Sequence, residues 1–123
     1  MDGKTPLFKR TIALVSAIPK GKVLSYGQVA SLISAEGCAR HVSYILSSSS
    51  KKYKLPWHRV LSSTGKISPH KGYRKQILLL EKEGVVFKSK DKVDLKDSSW
   101  KPTKVAVNKI LKGIPKHVSI YER

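Results

Sequence analysis

At 123 residues the chain has room for one domain around one modest core and is short for two. No apolar run approaches the roughly 18 residues of a membrane span, the opening MDGKTPLFKR lacks the apolar stretch of a secretory signal, and the single cysteine, Cys38, has no partner for an internal disulfide. A soluble, intracellular protein is expected, and 25 Lys and Arg against 8 Asp and Glu, a formal charge of +17, point to a polyanionic partner, which composition alone leaves open between DNA, RNA and an anionic membrane surface.

In chain order, Thr5 before Pro6 is a helix start, because the hydroxyl caps a free N–H and the proline ring removes another. Phe8, Ile12, Val15 and Ile18 recur at helical spacing, which predicts a first helix to about Ala17, stopped by Pro19 and the turn Lys20-Gly21-Lys22. Ser25 and Gln28 have the spacing of a capping box, followed by the apolar stripe Val29, Leu32 and Ile33. After a turn at 34–37, Ala39, Val42, Ile45 and Leu46 predict another helix, so residues 25–47 form a helix-turn-helix candidate, a pattern shared with helical hairpins that never touch DNA. Residues 47–54 are polar and expected to be a loop, and 62–72, rich in Ser, Gly, Pro, Lys and His, an exposed loop able to approach a ligand.

A further helix is predicted over 73–83 on Ile77, Leu78 and Leu80, with Gly84 as its C-terminal cap. Two short strands are expected at 85–87 and 93–95 around the charged turn 88–92. From Lys101 onward six basic residues face one acidic residue, a net +5; this stretch is expected to lie outside the compact pattern, with Val105, Val107, Ile110 and Leu111 permitting a helix without requiring one.

The segment Leu55-Pro56-Trp57-His58-Arg59-Val60 resembles the active-site motif Pro-Cys-His-Arg-Val of the O6-alkylguanine-DNA alkyltransferases, with tryptophan at the cysteine as in the alkyltransferase-like proteins. Other features fall at that family's spacing. Tyr26, in Ser-Tyr-Gly-Gln-Val-Ala, stands 31 residues before Trp57, and Arg40, in Cys-Ala-Arg-His-Val, stands 17 before it. Ser62-Ser63-Thr64-Gly65 follows as the family's Ser-Gly turn does, and Glu83-Gly84 matches its glutamate after the next helix. The resemblance spans about residues 8–102. It implies a mainly α fold with a small β component, a winged helix-turn-helix-like alkyltransferase DNA-binding domain over 1–102, with 103–123 as a basic C-terminal extension.

The resemblance also implies roles. The second helix of the motif would lie in the minor groove of a duplex from which the base has been rotated out. Arg40 would fill the hole in the stack, and Tyr26 would press on the phosphate beside the extruded nucleotide. Small residues around Arg40, namely Cys38, Ala39 and Ser43, would let the helix approach; the bulkier His41 would alter the fit or add a phosphate contact. The lesion pocket would comprise Tyr26, Trp57, Val60, Ser63, His70 and Lys71 under a lid from 66–73. His70 stands where alkyltransferase-like proteins often carry an arginine, with Lys71 or Arg74 as candidates to compensate, and Ser49 stands where alkyltransferases carry a bracing asparagine.

In the family a histidine held by a glutamate activates the thiol; here His58 and Glu83 remain as vestiges without the sulfur. An indole N–H only donates and does not attack an alkyl carbon, and Cys38 is expected to be a buried structural thiol. The implied protein is no enzyme, has no catalytic residue, uses neither cofactor nor metal, and has no membrane partner. It would bind duplex DNA containing O6-alkylguanine as a monomer and pass the lesion to nucleotide excision repair proteins, in the nucleus if the cell is eukaryotic. The alternative is a helix-turn-helix regulator that reads sequence without lesion preference.

Overall fold

The structure, a computed structural model, describes residues 6–67 and 69–112; the expected Thr5 cap and the end of the basic extension lie outside them. Six helices are described: α1 (Pro6–Ser16), α2 (Tyr26–Leu32), α3 (Ala39–Tyr53), α4 (Tyr73–Lys82), the short α5 (Leu95–Ser98) and α6 (Lys104–Lys112). Two small sheets accompany them: β1 (Leu24–Ser25) runs parallel to β2 (Val60–Leu61), and β3 (Phe87–Ser89) pairs antiparallel with β4 (Lys92–Val93). The mainly α architecture with a small β component is as expected. Among the described residues no helix is long and apolar enough to cross a membrane.

The helix-turn-helix forms from local chemistry. Ser25 accepts from the Gln28 N–H at 3.0 Å while the Gln28 side chain accepts from the Ser25 N–H at 2.8 Å, so the capping box closes at both ends and α2 starts at Tyr26. β1 pairs Leu24 with Val60 and Ser25 with Leu61, all four buried. That pair ties the start of α2 to the residues just after Trp57, across more than 30 positions of sequence.

Two apolar clusters make up the core. One joins α1, α2 and α3 through Leu14, Val15, Val29, Ile33 and Val42, with Leu55 and Val60; the other gathers Val23, Leu61, Ile67, Leu80, Val85 and Val93 under the β3–β4 hairpin. Gly65 shows why the 62–67 segment lies so close to that hairpin. Its φ is +84°, and a Cβ there would sit 2.7 Å from the Val93 carbonyl oxygen, so only glycine allows the backbone pairing of Val93 N–H with the Gly65 carbonyl at 2.9 Å.

Four expectations are corrected. Residues 47–53, expected as loop, continue α3: Ile45, Leu46 and Ser49 extend the buried stripe, the Ser48 hydroxyl donates to the Tyr44 carbonyl at 3.0 Å, and Tyr53 packs edge-on against Phe8 with ring centroids 5.9 Å apart. The helix ends when Lys54 turns left-handed and donates its N–H to Ser50. The first strand sits later than expected, at 87–89, and the second earlier, at 92–93, because Asp94 caps α5 by accepting from the Lys96 N–H, which turns Leu95 into a helix start. Leu78, placed in the buried stripe of α4, is 64% exposed, and Gln76 and Leu80 are buried instead. Residues 104–112 do not stand apart: α6 packs on α1, with Val107 buried in the first cluster and Ile110 and Leu111 against it.

Candidate nucleic-acid interface

Trp57 opens a single 3-10 turn, Trp57–Arg59, held by its own N–H donating to the Leu55 carbonyl at 2.8 Å and by Arg59 N–H donating to Pro56 at 3.0 Å. The turn presents the half-buried indole to a cavity of about 830 Å³. Tyr26 from α2, Ser43, Leu46, Ser47, Ser50 and Lys51 from α3, and Lys54 and Leu55 just beyond it form one side; His70, Gly72 and Lys75 close the other. A second hollow of about 100 Å³ lies beyond, walled by Tyr26, Val60, Ser62, Ile67, His70 and Gln76 among others. Tyr26 and His70 border both. Burial pushes the Tyr26 phenol above its ordinary value, so it keeps its proton and its capacity to donate.

Hydrogen bonding fixes the form of His70. Gly72 N–H donates to Nδ1 at 3.0 Å, while Gln76 spends its amide N–H groups on the His58 and Val60 carbonyls at 3.2 and 3.4 Å. The Gln76 Oε1 therefore accepts from His70 Nε2 at 3.0 Å, and the imidazole is the neutral Nε2–H tautomer. Its ring stands edge to face with Trp57, centroids 6.3 Å apart at 78°. A Cβ on Gly72 would sit 3.1 Å from the indole Cη2 and 3.2 Å from the His70 Cε1. Gly72→Ala is accordingly expected to displace one ring from the other and lower affinity for the cavity's ligand severalfold, with little loss of stability since φ is −98°. Thermal melting beside equilibrium binding checks this.

Behind the turn, Glu83 holds three partners. Arg59 Nη2 and Nε donate to its two oxygens at 2.6 and 3.0 Å, His58 Nε2 lies 2.8 Å from Oε2, and Gly21 N–H donates to Oε1 at 3.2 Å. Burial alone would raise this carboxyl, but the hydrogen bonds from Arg59, His58 and Gly21 outweigh it and hold it down at about 2. Arg59 also donates to the Ile18 carbonyl at 2.8 Å. Glu83 thus pins the Trp57 turn to the 18–21 loop.

Of the remaining expected site residues, Arg40 and His41 are exposed on the first turn of α3, with Ala39 and Ser43 half-buried beside them. Cys38 is half-buried against the core at the helix N-cap and, unlike the fully buried thiol expected, remains partly accessible. Ser63 and Lys71 are exposed and line neither hollow. Ser49 is buried and its hydroxyl lies 3.4 Å from that of Ser48, so it does not brace the loop before Trp57. Among the described residues no acceptor meets the indole N–H. The sequence did not single out Gln76, Ser47, Ser50, Lys51, Lys54 or Lys75, and it gave Arg59 no role beyond its place in the motif. A lone amide four residues before Leu80, on an otherwise apolar stripe, was a usable sign of Gln76.

Fold and side-chain placement together define a helix-turn-helix domain of the alkyltransferase type, with the cavity between its second helix and the Pro-Trp-His-Arg turn. The family model described as 6-O-methylguanine DNA methyltransferase, DNA binding domain, matches residues 6–85, and the chain belongs to that family. It is 40% identical over 91 residues to a DNA base-flipping protein of Vibrio parahaemolyticus, covering 73% of this chain and 91% of that one. It is 35% identical over 95 residues to alkyltransferase-like protein 1 of Schizosaccharomyces pombe, covering 72% and 88%. The crystal structure of the S. pombe protein Atl1 with damaged DNA containing O6-carboxymethylguanine superposes with a TM-score of 0.71 at 32% identity, covering 78% of this chain and 95% of that one.

Proposed function

We propose that this protein binds duplex DNA carrying O6-alkylguanine, extrudes the modified base and holds it in the cavity beside Trp57 without altering it. The observation that carries this reading is the cavity: about 830 Å³, a size suited to a base with its adduct, walled by three aromatic rings and rimmed by lysines. Support comes from the Vibrio relative, named a base-flipping protein, and from the S. pombe structure with a modified guanine. α3 would enter the minor groove, with Arg40 in the vacated stack and the Tyr26 phenol donating to a backbone phosphate. The base would rest among Trp57, Tyr26 and the neutral His70, under the loop that follows Val60, with Ser63 and Lys71 reaching it only if that loop closes.

Trp57 stands at the family's cysteine and brings no nucleophile, and Cys38 lines neither hollow. The complex is then reversible and lasts as long as its dissociation rate allows. Such persistence would serve to mark damage for nucleotide excision repair proteins, in the nucleus of a eukaryotic cell, with the protein acting as a monomer.

The test is equilibrium binding at fixed salt to matched duplexes with guanine or O6-methylguanine. We expect at least tenfold tighter binding to the modified duplex and, after incubation with labelled alkylated DNA, all label still on the DNA. Equal affinities, with strong dependence on flanking sequence, would instead favour a sequence-reading regulator, and label transferred to Cys38 would make the protein an enzyme.

A further inference from the structure

Tyr44 is 69% exposed on α3, and nothing in the proposed recognition uses it. Exposed aromatics scattered over a surface need no explanation; position singles this one out. Arg40, Tyr44, Ser47 and Lys51 follow one another at i, i+4, i+7 and i+11, so they form one straight ridge along the helix. Ser47 and Lys51 of that ridge already line the cavity.

On the helix surface Tyr44 is flanked by Arg40 and His41 one turn back and by the small Ser47 and Ser48 one turn ahead, and α3 carries no acidic residue anywhere. Toward the cavity the ring is therefore the last bulky projection before a low run of serines, on an uncharged-to-basic face. Among the described residues it has no aromatic or cation partner, and its hydroxyl makes no hydrogen bond. A minor groove about 6 Å wide admits a helix face of small side chains together with an occasional wedge. The axial rise puts Tyr44 about 6 Å beyond Arg40, which is close to two base-pair steps.

Resting on the lesion-binding reading above, we propose that Tyr44 is a second probe of the duplex. Its ring enters the minor groove one helical turn after Arg40 and packs against the sugars that line the groove beside the extruded nucleotide. It sets the depth of α3 and contributes affinity that does not depend on charge.

The experiment compares wild type with Tyr44→Ala and Tyr44→Phe for binding to a duplex with one O6-methylguanine and to its unmodified match, across a salt series. The expected result is a loss of about fivefold or more for Tyr44→Ala on the modified duplex, the scale of one lost aromatic contact with nucleic acid. Tyr44→Phe should stay within about twofold, because the ring is what matters. The slope of affinity against salt should not change, since no cation is removed, and melting should be unaltered because the side chain is exposed. Tyr44→Ala binding within about twofold of wild type overturns the proposal, as does a changed salt slope with Tyr44→Phe equally impaired. Should wild type itself fail to prefer the modified duplex, the lesion-binding reading falls, and Tyr44 is judged by the same thresholds on the unmodified duplex.

Discussion

Glu83→Ala is expected to lower the free energy of unfolding by about 3 to 5 kcal/mol, the usual consequence of removing one member of a buried ion pair. The side chains of Glu83, His58 and Arg59 are only 9, 11 and 16% exposed, so the substitution strands a guanidinium and the Gly21 N–H away from water. It also frees the Trp57 turn from the 18–21 loop, and ligand affinity should fall with stability.

The sign with pH follows from the depressed carboxyl. A group whose folded value lies below its unfolded one stabilises the fold above the unfolded value and ceases to do so as pH falls through the folded one. For Glu83 that window runs from 4.5 down to about 2, and the shift is worth about 3 kcal/mol at about 1.36 kcal/mol per unit. Glu83→Gln should thus be less stable than wild type at pH 7 and converge on it toward pH 2. Denaturant titrations at several pH values measure both effects. A loss below about 1 kcal/mol at neutral pH would show that the three contacts are not coupled to folding.

Arg40→Ala is expected to weaken binding to an O6-methylguanine duplex about tenfold to a hundredfold, the worth of a hydrogen bond to a charged group together with the filled stack. Arg40 is exposed on the first turn of α3, so the fold should be untouched. On unmodified duplex, where the side chain has no vacancy to occupy, its loss should cost no more than about fivefold, as for an exposed charge pair. Paired titrations of the two duplexes at one salt concentration give the ratio directly. Equal losses on both would reduce Arg40 to a phosphate contact.

Those features whose causes are local were legible in the sequence. The capping box depends on residues three apart, and it formed with both hydrogen bonds in place. Tyr26, Trp57 and His70, singled out from motif and spacing, border one cavity. What escaped depended on partners distant in the chain. A run of four serines looks like a loop until Tyr53 finds Phe8 some 45 positions upstream and the helix proves worth extending. Gln76 is indistinguishable from a surface amide until the carbonyls of His58 and Val60 arrive beside it. Ser63 and Lys71 were placed in the pocket on the family resemblance, whereas both are exposed and line neither hollow. The Asp94 cap was local and readable; the alternation of Val93 and Leu95 outweighed it.

The continuation of α3 to Tyr53 has a consequence of its own. One rigid rod carries Arg40 on its first turn and, from Ser43 to Lys51, one wall of the cavity, whose far end lies about 16 Å from Arg40 along the axis. On the proposed reading the helix would be a gauge of fixed length, and a nucleotide would pass it only by leaving its gap and entering the receptacle at the matching offset. Bending or shortening α3 between Ser47 and Tyr53 would spoil that calibration even with every contact residue intact.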